Sequence, residues 1–144
     1  MRAKAKDVGA ARRTVLICDE DRLHTQTLAN GLDQLGYVVE AVRSYAEAFA
    51  IACAHDLDAL VVAPFLRDGS ALVLPTALGI RKPPVTVLVT RMTERLASIV
   101  SKRVGFDAQI TKVVDPRILD RMIRSAAEGR RLDERHALEA DARR

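Results

Sequence analysis

Tryptophan is absent from this sequence of 144 residues, and three phenylalanines with two tyrosines are its only aromatics. A surface that stacks exposed bases needs more rings than that, which argues against single-stranded nucleic acid as the main ligand. Only two cysteines occur, Cys18 and Cys53, with neither a CxxC nor a His-spaced pattern around them. That excludes a disulfide scaffold and a thiolate zinc site, and both thiols are expected to be reduced and buried. No uncharged apolar run approaches the roughly 18 residues of a membrane span, and the polar beginning lacks the apolar centre of a secretory signal. A cytoplasmic protein with no membrane span is expected.

Excess charge is almost absent from the body of the chain. The formal net charge of +4 resides in residues 1–13, where Arg2, Lys4, Lys6, Arg12 and Arg13 face a single acid, Asp7, and the remainder is neutral. A basic arm of this kind is expected to be flexible, and it offers one way of binding nucleic acid or an anionic surface, sensitive to salt and to deletion of the arm. Against these absences, a hydrophobic content of 49% with 29% charged residues describes a chain able to bury a core, unlike a disordered one. The length suits one domain.

Short apolar runs rich in β-branched residues alternate with segments of helical period. The predicted strands are Thr14–Cys18, Tyr37–Ala41, Leu57–Ala63, Val85–Thr90 and Phe106–Lys112, starting roughly 20 to 28 residues apart. Such spacing accommodates one strand, one helix and two short loops, so each repeat reads as a βα unit. Leu28, Leu32 and Leu35 line a first helix that Gly36 closes. Ser44 and Glu47 form a capping box opening a second through Phe49 and Ile51. A third, within Ser70–Leu78, contains Pro75 and is expected to be short or kinked. Leu96, Ile99, Val100 and Val104 stripe a fourth, closed by Gly105. Asp115 and Pro116 start a fifth, whose Ile118, Leu119, Met122, Ile123 and Ala126 face inward.

Five such units predict an α/β fold: a doubly wound, five-stranded parallel sheet of order 2-1-3-4-5, with helices on both faces. Ligands of such sheets bind at the carboxyl ends of the strands. The residues there are Asp19, Glu20 and Asp21 after the first strand, Ala63 to Phe65 after the third, Thr90 after the fourth and Lys112 ending the fifth.

Here the sequence resembles the receiver domains of bacterial two-component response regulators. Val15-Leu16-Ile17-Cys18-Asp19-Glu20-Asp21 is similar to their first strand and acidic pair, Val85–Thr90 to the fourth strand with its hydroxyl, and Gly105–Lys112 to the fifth with its lysine. The resemblance covers residues 14–127, leaving 1–13 as an arm and 128–144 as a charged helical extension with i,i+4 pairs of opposite sign. It implies a flavodoxin-like receiver fold. In that family a carboxylate ending the third strand accepts a phosphoryl group, while Mg²⁺ on the acidic pair and the lysine stabilise the charge.

This chain carries Ala63 at the position of that carboxylate. A methyl group is neither a nucleophile nor a ligand for a hard cation. Pro64 and Phe65 replace polar neighbours, Gln109 stands at the usually aromatic switch position, and Val113 follows the lysine where proline is usual. Asp19, Glu20, Thr90 and Lys112 remain, and Lys112 is expected to form a partly buried ion pair with Asp19 and Glu20 rather than to act in catalysis. A pseudo-receiver is expected: no enzyme, no metal, no cofactor, and a role in binding another signalling protein independently of phosphorylation. By the resemblance, the partner face is the one built by the fourth helix, fifth strand and fifth helix, with Arg95, Lys102, Gln109, Thr111, Arg117, Arg121 and Arg124 as candidates for an acidic partner; homodimerisation is left open. Two alternatives use other chemistry: a phosphorelay receiver with Asp58 or Asp68 as acceptor, and a haloacid-dehalogenase-like phosphatase built on Asp19 and Asp21. His24, His55 and His136 form no metal-site or triad spacing and are expected on the surface.

Overall fold

The computed structural model describes residues 12–91, 95, 99, 103 and 105–128. Five parallel strands, β1 (Thr14–Cys18), β2 (Val38–Val42), β3 (Ala59–Val62), β4 (Val85–Thr90) and β5 (Ala108–Thr111), form one sheet in the order β2-β1-β3-β4-β5. That is the predicted doubly wound order. The alternation of the strands sends Val15, Ile17, Val61, Val87, Val89 and Ile110 to one face, and Leu16, Cys18, Leu60, Val62 and Leu88 to the other. Helix α1 (Arg22–Gln34) and the C-terminal helix (Pro116–Ala127) cover the first face, through Leu28, Leu32, Leu119, Met122 and Ile123. Helices α2 (Tyr45–Ala54) and α3 (Leu74–Leu78) cover the second, through Ala48, Ala52, Leu74 and Leu78.

The local signals act as expected. Gly36 ends α1 with φ +99°, a value that costs a side-chain-bearing residue energy but not glycine. The Ser44 hydroxyl accepts from the Glu47 N–H at 3.1 Å, and the Glu47 carboxylate accepts from the Arg43 N–H. Asp115 caps the C-terminal helix by accepting from the Arg117 N–H at 2.9 Å. Pro75 sits in the first turn of α3, which is reduced to five residues between 3₁₀ turns at Ala71–Val73 and Gly79–Arg81. Of the helix expected across Leu96–Val104, Arg95, Ile99 and Arg103 are helical, while Leu96, Val100, Val104 and Lys102 lie outside the described residues. Residues 1–11 and the extension 129–144 lie outside them too.

Several expectations are corrected by packing. Arg12, assigned to the flexible arm, donates to the Gly36 and Tyr37 carbonyls at 2.9 and 3.0 Å, and Val38 N–H bonds to the Arg13 carbonyl, so the end of the arm is pinned to the turn before β2. Leu35 is the C-cap of α1 and is exposed, because the chain has already turned away from the sheet there. Cys53 is exposed on the outer side of α2, whose inward face is made by Ala48 and Ala52. Cys18 is the buried one. Burial, then the adjacent Asp19 carboxylate, pushes its thiol up to about 12. The folded state thus favours the protonated thiol, so its stabilisation is complete below the ordinary value of 9.0 and is lost as pH rises from there toward 12. Native protein treated with a thiol reagent should take up one equivalent, at Cys53, and a second only on unfolding; two rapid equivalents would show Cys18 to be accessible.

Helix α1 and the C-terminal helix meet without clearance at Gly31. A Cβ added there would lie 2.3 Å from Pro116 Cγ, and a proline ring cannot swing aside. Alanine is worth about 1 kcal/mol more than glycine in a helix interior, yet here Gly31→Ala is expected to cost a net 1–3 kcal/mol or so, read as a lower urea midpoint at unchanged slope.

Candidate functional site

The site stands where four strands, β1, β3, β4 and β5, run out at the carboxyl edge of the sheet. Backbone bonds carry the ladder one residue past each strand: Asp19 N–H to the Val42 carbonyl at 3.2 Å, Ala63 N–H to the Cys18 carbonyl at 2.9 Å and Lys112 N–H to the Thr90 carbonyl at 3.1 Å. Asp19, Ala63, Thr90 and Lys112 are thereby held by the sheet itself. With Glu20, Asp21, Pro64, Phe65, Val89 and Arg91 they line an open cleft of about 430 Å³. Every retained pocket residue singled out in the sequence is in it, as is Ala63. Gln109 is on β5 but only 8% exposed, so it is corrected from a surface candidate to a buried residue: its strand position faces into the layers.

Lys112 governs the charge of the cleft. Its ammonium lies 3.1 Å from one Asp19 oxygen and 3.3 Å from the other, and 3.3 Å from Asp21 Oδ2. The expected partner Glu20 is not among its ion pairs. The capping turn explains the exchange: Asp21 is the N-cap of α1, accepting from the His24 N–H, and this turns its second oxygen toward the lysine. That backbone N–H, followed by the Lys112 ammonium, holds the Asp21 carboxyl below its usual value. The Lys112–Val113 peptide is cis.

His24 is the residue the sequence reading misplaced. It is buried, with Nδ1 3.1 Å from Asp19 Oδ2 and Nε2 accepting from the Val114 N–H at 3.2 Å. A nitrogen that accepts carries no proton, so the hydrogen is on Nδ1 and is donated to Asp19. The signal that identifies it is positional: the third residue of a helix that starts just past β1 returns to the edge of the sheet. His55 is exposed as expected, and His136 lies outside the described residues.

Asp19 consequently has both oxygens filled. Oδ1 accepts from the Asp21 N–H at 3.0 Å and from Lys112, and Oδ2 accepts from His24 and Lys112. The resemblance carried by the sequence implies Mg²⁺ at this edge, so the donor set bears directly on that ion. Mg²⁺ requires near-octahedral oxygen ligands. Here Asp19 is saturated, Asp21 is shared with Lys112 and Ala63 contributes no oxygen, which leaves Glu20 as the one uncommitted carboxylate, so the residues present do not fit a bound Mg²⁺; among the described residues no cluster of three metal-ligating side chains occurs.

The alternative acceptors are placed elsewhere. Asp58 precedes β3, at the opposite end from the cleft, and accepts from the Thr14 N–H at 2.7 Å. Asp68 reaches back from the hairpin of Phe65–Leu66 and Gly69–Ser70 to accept from the Tyr45 and Ala46 N–H groups at 2.8 and 3.0 Å, which holds its carboxyl low and clamps the hairpin to the start of α2. The hairpin leaves Phe65 at the cleft, 70% exposed.

This architecture is the CheY-like receiver fold. It is similar to a receiver domain protein of Methanospirillum hungatei, at a TM-score of 0.74 and 24% identity over 83% of this chain and 96% of that one. The chemotaxis response regulator CheY4 of Vibrio cholerae matches at a TM-score of 0.74 and 20% identity, over 81% and 99% of the two chains. A response regulator of Burkholderia pseudomallei, solved with a phosphorylated aspartic acid, calcium and citrate, matches at 0.71 and 22%, over 81% and 69%. By sequence, the chain is 30% identical over 106 residues to the photosynthetic apparatus regulatory protein RegA of Cereibacter sphaeroides, covering 73% of this chain and 58% of that protein. It therefore spans little more than half the length of that relative. No family model matches the chain. Among the described residues, no helix is long and apolar enough to cross a membrane.

Proposed function

We propose that this chain is a pseudo-receiver: a non-enzymatic module of a two-component or phosphorelay-type pathway that binds another signalling protein without being phosphorylated itself. The observation that carries this reading is Ala63 at the end of β3, in the cleft where receiver domains present their acceptor carboxylate. The similarity to a regulatory protein and to receiver domains supports the pathway, and the saturated Asp19 supports the loss of phosphoryl chemistry.

The partner face of this reading joins β5 to the C-terminal helix and to Arg95. Arg95, Arg117 and Arg124 are exposed, as is Thr111, and Arg121 is half-buried. Two arginines are partly engaged within their own helix: Arg124 Nε bonds to Asp120 at 2.9 Å, and Arg117 lies 3.6 Å from its cap Asp115. Exposed pairs of this kind are worth at most about 1 kcal/mol, so an acidic partner can displace them. Capture of a partner from cells of the source organism, with wild-type bait and with the Arg117→Glu, Arg121→Glu variant, tests the reading. Retention of the partner with and without acetyl phosphate, and its loss on charge reversal, is the expected outcome. Retention that depends on acetyl phosphate would overturn it.

A further inference from the structure

The cleft has lost its acceptor but has not closed, and its remaining chemistry points to a different occupant. Three acids and two bases line it. Against Lys112 and Arg91 the three carboxylates leave the cleft one negative charge in excess, and Lys112 is engaged by Asp19 and Asp21 while Glu20 is in no ion pair among the described residues. One of its oxygens, Oε2, is enclosed and has no hydrogen-bond donor among the described residues. An enclosed carboxylate oxygen without a donor has given up hydration for nothing, and an N–H group arriving in the cleft would restore it. Beside Glu20 the wall is apolar, formed by Ala63, Pro64 and Val89, and Phe65 offers an exposed ring.

A hard divalent ion gains nothing from such a wall, because it needs oxygen ligands on several sides. A monocation with an apolar body uses all of it: charge against Glu20, body against Ala63 and Pro64, and the Phe65 ring face for a cation–π contact. The volume falls within the usual range of small-molecule sites and exceeds what one protein side chain fills. We propose that the vacated cleft is a binding site for a small organic monocation, an amine or guanidine carrying an aryl or alkyl group, with Glu20 as counter-ion and Phe65 as its lid. This site is separate from the arginine-bearing face, so failure at one leaves the other standing.

The test is a titration of the ¹⁵N-labelled full chain with benzylammonium, followed by amide shifts at Glu20, Phe65 and Thr90. Saturable shifts are expected, with affinity at least about tenfold above that of neutral benzyl alcohol. Glu20→Gln should erase that difference. Phe65→Ala alters an exposed side chain and should fold normally, and it should weaken benzylammonium roughly threefold to tenfold. Equal binding of the alcohol, indifference to Glu20→Gln, competitive displacement by MgCl₂, or absence of saturable shifts would each overturn the proposal. Tighter binding of a capped arginine dipeptide would also overturn it, by assigning the cleft to a partner's side chain.

Discussion

Incubated with acetyl phosphate and Mg²⁺, the wild-type chain is expected to keep its unmodified intact mass, and Ala63→Asp to gain a phosphoryl group at least about a hundredfold more slowly than a receiver with its full acidic set. Restoring the nucleophile restores one part of three. Phosphoryl transfer depends on electrostatic groups held ready for the developing charge, and losing even one such group commonly costs 10²-fold or so. In the variant, Asp19 would still be bound on both oxygens by Lys112, His24 and the Asp21 N–H, and Pro64 and Phe65 would still replace polar surroundings. Adding His24→Gln to Ala63→Asp should speed labelling, because Oδ2 of Asp19 then loses its fixed imidazole donor. Intact-mass measurement with hydroxylamine treatment reads both results. Rapid labelling of Ala63→Asp alone, or a hydroxylamine-sensitive mass gain in the wild type, would return the chain to the phosphorylated receivers.

Lys112→Met is expected to destabilise the fold by about 3 kcal/mol, the second large effect. The ammonium is the only cation within 4 Å of Asp19 and Asp21 among the described residues, the His24 imidazole being neutral, and removing one member of a nearly buried ion pair leaves an uncompensated charge. Asp19→Asn on top of Lys112→Met should recover part of the loss, since the remaining group is then neutral. Urea unfolding of the two variants decides this; equal stability of Lys112→Met and wild type would show the pair to be solvated and weak. The acid limb of the stability profile follows from the same contacts. The folded-state values of Asp21 and Asp68 are both lowered, so each contributes stability fully present above the ordinary carboxylate value and lost as pH falls through the folded one, below about 4.

Much of the fold was legible because its signals are local. Gly36, the Ser44–Glu47 box and the Asp115–Pro116 start each act within one turn of chain, and β1 and β4 coincide with their predicted bounds because an apolar run buried on both faces has no competing pattern. Most of the misplacements share one cause. His24, Cys53 and Gln109 lie on helices or strands that were correctly expected, but their exposure depends on how those elements are rotated against the sheet, which periodicity constrains only coarsely; Leu35 instead falls just past the end of α1, where the chain has left the helix. The exchange of Glu20 for Asp21 as the lysine's partner arises from a capping turn that lies outside any strand or helix pattern.

The sequence by itself determined the succession of β and α elements and the alanine just past β3, each written in residue identity and spacing along one segment, and right-handed crossovers turn that succession into the strand order. Only the tertiary structure decided which groups surround Asp19. Lys112 is 93 residues away from it and Val114 is 90 away from His24, so their meeting is set by the order in which the sheet brings β1 and β5 to one edge. Distances of that kind are fixed by packing, and packing is a property of the whole chain.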